Sequence, residues 1–90
     1  MVQRRALNSR IDDEVRKYLR GESAFAKQIE SALSEVDTLT RELVLHRAKG
    51  YDYRQSMSAF SVSDSQYYRR LQHFRQSLVL LIPSYFDDND

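Results

Sequence analysis

Tyr67, Leu71, Phe74, Leu78 and Leu81 recur at steps of four, three, four and three along the last third of the chain. Only a helix of 3.6 residues per turn lines up such positions on one face. This stretch is therefore expected to form a long helix that buries the stripe against other elements. The rest of the chain points the same way. Only Gly21, Gly50 and Pro83 interrupt helices, while Leu, Arg, Gln, Glu and Ala are plentiful. Ninety residues suffice for one domain with a modest core. The expected class is all-α, a small multi-helix domain with a C-terminal helix-turn-helix and N-terminal amphipathic helices.

Four further segments carry helical spacing. Ile11, Val15, Tyr18 and Leu19 share a face, with Gly21 placed to end the helix in a left-handed conformation. Ser9 could cap this helix, or it could begin near Gln3. Phe25, Ile29, Leu33 and Val36 form a second stripe, and Asp37 or Thr38 offers a cap for a third helix over Leu39, Leu43, Val44 and Ala48. Gly50 closes that one. Residues 51–60 give a weaker signal, with Met57 and Phe60 three apart. Ser61-Val62-Ser63-Asp64 then breaks the periodicity and supplies caps for the long helix, which Pro83 stops.

The net charge of +1 averages over unequal blocks. Residues 1–21 carry +3, 22–40 carry −3, 41–82 carry +4 and 83–90 carry −3. Such asymmetry suits an anionic partner. There is no cysteine, which excludes disulfides, thiolate metal sites and thiol nucleophiles. The longest apolar run, residues 78–82, is far too short to span a membrane, so a soluble, cytoplasmic protein is expected. The chain divides into an N-terminal helical region, 1–37, a helix-turn-helix, 38–82, and an acidic tail, 83–90.

From Leu39 to Leu78 the parts follow the order of a helix-turn-helix: a helix ended by glycine, a short helix, a polar turn around one aliphatic residue, then a long helix. Val62 would pin the turn and Ser63 would cap the second helix. With Tyr67, Leu71, Phe74 and Leu78 inward, the opposite face carries Ser65, Arg69, Gln72 and Gln76. Gln66, Tyr68 and His73 flank it, and Arg70 and Arg75 lie nearer its borders. Arginine pairs bidentately with guanine and glutamine with adenine, while hydroxyls reach phosphates. No acidic residue follows Asp64 until the tail.

Within this unit, Val62-Ser63-Asp64-Ser65-Gln66-Tyr67-Tyr68-Arg69-Arg70-Leu71 resembles the aliphatic-Ser-x-Ser-x-Tyr-Tyr-Arg pattern of the ArpU-type family of phage late-gene transcriptional regulators. These are similar to the region-4 helix-turn-helix of sigma factors. Leu39-Thr40-Arg41-Glu42-Leu43-Val44-Leu45 and the Gly50-Tyr51-Asp52-Tyr53 entry fit the same layout, and the resemblance covers about residues 38–82. It implies a phage or prophage regulator of promoter DNA, contacting it through Ser65, Gln66, Tyr68, Arg69 and Gln72. In the short helix, Gln55-Ser56-Met57 departs from the sigma-like pattern by placing a serine at a core-facing position.

No enzyme, cofactor or metal is expected. His46 and His73 lie in different helices without a ligand pattern, and read as surface or groove-edge residues. Asp12-Asp13-Glu14 reads as an acidic, solvated first turn rather than a catalytic cluster. Two isolated glycines cannot build a phosphate cradle. Tyr67 belongs to the core stripe, Tyr68 to the outside. A homodimer is expected, because one short helix reads few base pairs; the N-terminal stripes are its expected interface, though they could instead pack on the helix-turn-helix or dock on RNA polymerase. The alternative is a helical protein-interaction module that binds a host protein such as RNA polymerase.

Overall fold

The computed structural model describes residues 4–82, and the side chains of 7–82. Five helices follow one another, α1 (Arg4–Leu19), α2 (Ala26–Glu35), α3 (Thr38–Ala48), α4 (Tyr53–Phe60) and α5 (Asp64–Leu81), with no strand among the described residues. The expected tail, the proline stop and a start near Gln3 lie outside the described residues. No described helix is long and apolar enough to cross a membrane.

One core runs through all parts of the fold. Ile11 and Val15 of α1, Ile29 and Leu33 of α2, Leu43 and Val44 of α3, and Tyr67, Leu71, Phe74 and Leu78 of α5 are buried together. Each such aliphatic or aromatic side chain contributes about 1.5–3 kcal/mol by leaving water. α5 packs on α2 and α3, while α1 lies on α3. Most of the N-terminal stripes is thus covered within the chain, although Leu19 stays 41% exposed. The expectation that they form a dimer interface is corrected, since Ile11, Val15 and Ile29 are each no more than 1% exposed.

The helix ends are closed by side chains. Asp37 caps α3, its carboxylate accepting the Thr40 N–H at 2.8 Å. Arg41 of α3 reaches back to the last carbonyls of α2, donating to Leu33 O at 2.9 Å and Val36 O at 3.3 Å. Arg16 of α1 donates to Ala48 O at the end of α3, at 3.1 Å. These cations satisfy carbonyls that a helix leaves unpaired at its C-terminus. Gly21 and Gly50 follow α1 and α3 with φ of +74° and +106°, conformations that a Cβ would strain.

The acidic triplet is not a solvated first turn, because α1 begins at Arg4 and places it mid-helix. Only Asp13 fits the expected exposure, pairing with Arg16 at 3.2 Å. Glu14 is buried and accepts a hydrogen bond from Ser23 Oγ at 2.6 Å. Asp12 faces α3 and α5, where it meets two arginines, Arg47 and Arg75.

Candidate nucleic-acid interface

α4 begins with a capping box: Asp52 accepts the Gln55 N–H at 2.9 Å, and the Gln55 side chain accepts the Asp52 N–H at 2.9 Å. That local device explains a helix whose composition is poor in strong formers. The helix ends at Ser61, held in the left-handed region at φ 54°. Val62 follows, buried as the turn's apolar pin, its N–H bonded to Met57 O at 3.2 Å. Ser63 then opens α5 as its cap, again in a capping box, with Gln66 as the reciprocal partner. The cap and the pin stand where the sequence placed them.

Ser56, the polar residue at a core-facing site, is fully buried. Its Oγ lies 2.7 Å from His46 Nδ1, so the two share a hydrogen bond. His46 is not a surface histidine: its ring stacks on Tyr51 at 4.0 Å and meets the Phe60 edge at 5.2 Å. The pair settles a hydroxyl in the core and joins α3 to α4.

Along α5, Ser65, Gln66, Tyr68, Arg69, His73 and Gln76 are exposed. Arg69 makes no ion pair with any described residue. Gln66 spends its amide oxygen on the Ser63 N–H, which leaves its NH₂ as the group able to reach outward. Gln72 is half-buried and lines a groove with Leu7 and Ile11 of α1.

Arg70 and Arg75 bound this face, and both turn away from it. Arg70 donates to Asp37 at 2.6 Å and to Thr40 Oγ1 at 3.1 Å, tying α5 to the cap of α3. Hydrogen bonds from Thr40 and then Arg70 hold the Asp37 carboxyl well below the usual carboxylate range. Arg75 is buried and donates to both Asp12 oxygens, at 3.0 and 3.1 Å. The outward strip is therefore narrower than a helical wheel drawn on α5 alone, because α1 covers one border and the start of α3 the other.

The structure also brings α4 to this surface. Tyr53 lies against Tyr68, ring centres 6.0 Å apart, and its hydroxyl accepts from Arg54 Nε at 3.1 Å. Arg54 is exposed and adds a cation over the Tyr53 ring, 5.7 Å from its centre, that the sequence pattern did not single out. The Asp52-x-x-Gln55 spacing was the available signal for it, since it defines α4 and hence which side Arg54 faces.

The chain has no matching protein-family model, and no curated protein or solved structure matches it.

Proposed function

We propose that the protein is a sequence-specific double-stranded DNA-binding transcriptional regulator of phage or prophage type, in which α4 and α5 form a helix-turn-helix. The observation that carries this reading is the outward strip of α5. It is capped by Ser63, preceded by a connection pinned by Val62, and presents Ser65, Tyr68, Arg69 and Gln76 outward with no acid after Asp64. In the bound state α5 lies in the major groove, Arg69 reads a base edge, and Ser65, Tyr68 and Arg54 reach phosphates. The order of parts shared with ArpU-type regulators supports the same reading. Two copies on adjacent half-sites would supply the specificity that one short helix lacks.

The test is binding to promoter fragments across a salt series, followed by fluorescence anisotropy. Affinity should fall linearly on a log–log plot as salt rises, through release of counterions from neutralised phosphates. Arg69→Ala should weaken specific binding by about 1–3 kcal/mol. Absence of binding at low salt, or a flat salt response, rules the reading out.

One observation favours a second reading. Arg70 and Arg75 are each paired with a carboxylate, so the strip is less cationic than its sequence. A face of this kind also suits docking on a protein, such as RNA polymerase. Capture of a purified polymerase by a chain in which Arg69→Ala and Arg54→Ala have abolished DNA binding would select that alternative.

A further inference from the structure

We propose that the apolar end of α5 docks a second copy of the chain, and that this contact seats two copies on adjacent DNA half-sites. The inference rests on the reading of α5 as the recognition helix and supplies the interface which that reading lacks. Leu80 is 80% exposed, the most exposed large apolar side chain among the described residues, and Leu81 beside it is exposed as well. Val79 and Leu80 line a groove with Leu7 and Ile11 of α1. Single surface leucines are ordinary, whereas a contiguous apolar patch marks a contact surface. Charge selects the occupant. Residues 76–82 carry no charged side chain, and the one charged residue lining the groove, Arg75, is paired with Asp12 at 3.0 Å. Phosphates and acidic peptides therefore find no free cation there. A copy of the same surface fits, because in a two-fold contact each patch meets itself, and an unpaired charge would meet its like. The patch is far smaller than the roughly 20–30 residues that each side of a stable interface contributes. The contact is thus weak in free solution and is completed when DNA holds both copies.

Position along the helix supplies the second observation. Leu80 follows Arg69 by eleven residues, about three helical turns, so the two share one outward row with Gln76 between them. Along that row polar side chains give way to leucine. At about 1.5 Å of rise per residue, Arg69 stands about 16 Å from Leu80, and Ser65 about 22 Å. Two α5 helices that meet at Leu80 about a two-fold axis place their Arg69 residues up to about 33 Å apart, and their Ser65 residues up to about 45 Å apart. Half-sites one turn apart on the duplex are separated by about 34–36 Å, which lies inside that reach. A splay of the two helices then sets the first turns of α5 into successive major grooves. The same row faces DNA at one end of the helix and the partner copy at the other.

The test has one arm without DNA and one with it. The full chain is followed by two-dimensional NMR as its concentration rises to about 1 mM, where weak self-association is populated. Signals of Leu7, Val79 and Leu80 should move with concentration in the parent and stay fixed in Leu80→Gln. That variant keeps a good helix former at an exposed position, so it should melt within about a degree or two of the parent. In the second arm, each protein selects duplexes from random DNA. The parent should select an inverted repeat with half-site centres about 10 bp apart and bind it cooperatively. Leu80→Gln should bind an isolated half-site as the parent does and lose about tenfold on the repeat. Spectra independent of concentration, or shifts and cooperativity that Leu80→Gln leaves unchanged, overturn the proposal. Capture of purified RNA polymerase through Leu80 with no self-association overturns it too, by assigning the patch to that partner. Concentration-dependent shifts with no duplex selected would uphold the contact and sink the DNA reading, and single half-sites selected without shifts would do the reverse.

Discussion

Ser61 holds a conformation that its side chain disfavours, at φ 54° and ψ 46°. Left-handed backbone at a non-glycine residue costs about 1–2 kcal/mol, because Cβ crowds the following carbonyl. Ser61→Gly removes that Cβ while keeping the connection from α4 to α5. The variant should be more stable by about 0.5–1 kcal/mol in urea unfolding, net of glycine's added chain entropy. A loss of stability would mean that the serine side chain has a role its geometry does not reveal. A second pair of substitutions separates reading from folding in α5. Leu71 is 3% exposed within the core, so Leu71→Ala should destabilise by about 2–5 kcal/mol through lost burial and a residual cavity. Arg69→Ala, on the exposed side, should leave the melting temperature within about a degree or two of the parent. The reverse outcome would place the exposed face elsewhere on the helix.

Elements in this fold are held by their ends as much as by their stripes. Ser63 Oγ accepts the Gln66 N–H at 3.3 Å, and the Ser63 N–H donates in return to Gln66 Oε1 at 3.1 Å. Ser63→Ala should cost about 1 kcal/mol, read as a lower urea midpoint at unchanged slope. The start of α3 predicts a pH dependence. Asp37 accepts from Thr40 and pairs with Arg70, and its folded-state pKa is depressed. A depressed carboxylate contributes stability that is present above its unfolded pKa of about 3.9 and is lost as pH falls through the lower folded value. Thermal melts should therefore show the parent losing stability below about pH 4, and Asp37→Asn losing less over the same window. Equal acid sensitivity of the two proteins would assign the effect to other carboxylates.

At the scale of the whole molecule, Asp12 joins three helices. Its carboxylate on α1 meets Arg47 on α3 and Arg75 on α5, and the Arg75 side chain is only 9% exposed. Removing one partner of such an arrangement strands a buried cation. Asp12→Ala should destabilise the fold by about 3 kcal/mol in denaturant titration. Its neighbour supplies the control: Asp13 is 64% exposed and pairs with Arg16 one turn away, so Asp13→Ala should shift stability by less than about 0.5 kcal/mol. Similar effects from both would mean that the junction carries no special weight. Stability in a domain of this size is only about 5–15 kcal/mol in total, so the first change should be plain in any melt.

Much of the chain's organisation is legible locally. Tyr67, Leu71, Phe74 and Leu78 are buried as their spacing requires, Val62 pins the connection and Ser63 caps α5. These follow from interactions within a turn or two, where helical periodicity and capping act. α4 was harder to read because its own stripe is short, although the Asp52–Gln55 capping box marks it. The fate of the charges, by contrast, is set by contacts between distant segments. Arg70 meets Asp37 across 33 positions, and Arg75 meets Asp12 across 63. A wheel drawn on α5 leaves both arginines at the edge of the outward face, since it contains neither α1 nor the cap of α3. The same holds for Ser56, whose hydroxyl is tolerated in the core because His46, ten residues earlier on another helix, turns its ring nitrogen toward it. Periodicity determines which side of a helix is buried. Which polar groups remain available to a partner depends on side chains brought from distant parts of the chain, and no local spacing encodes that.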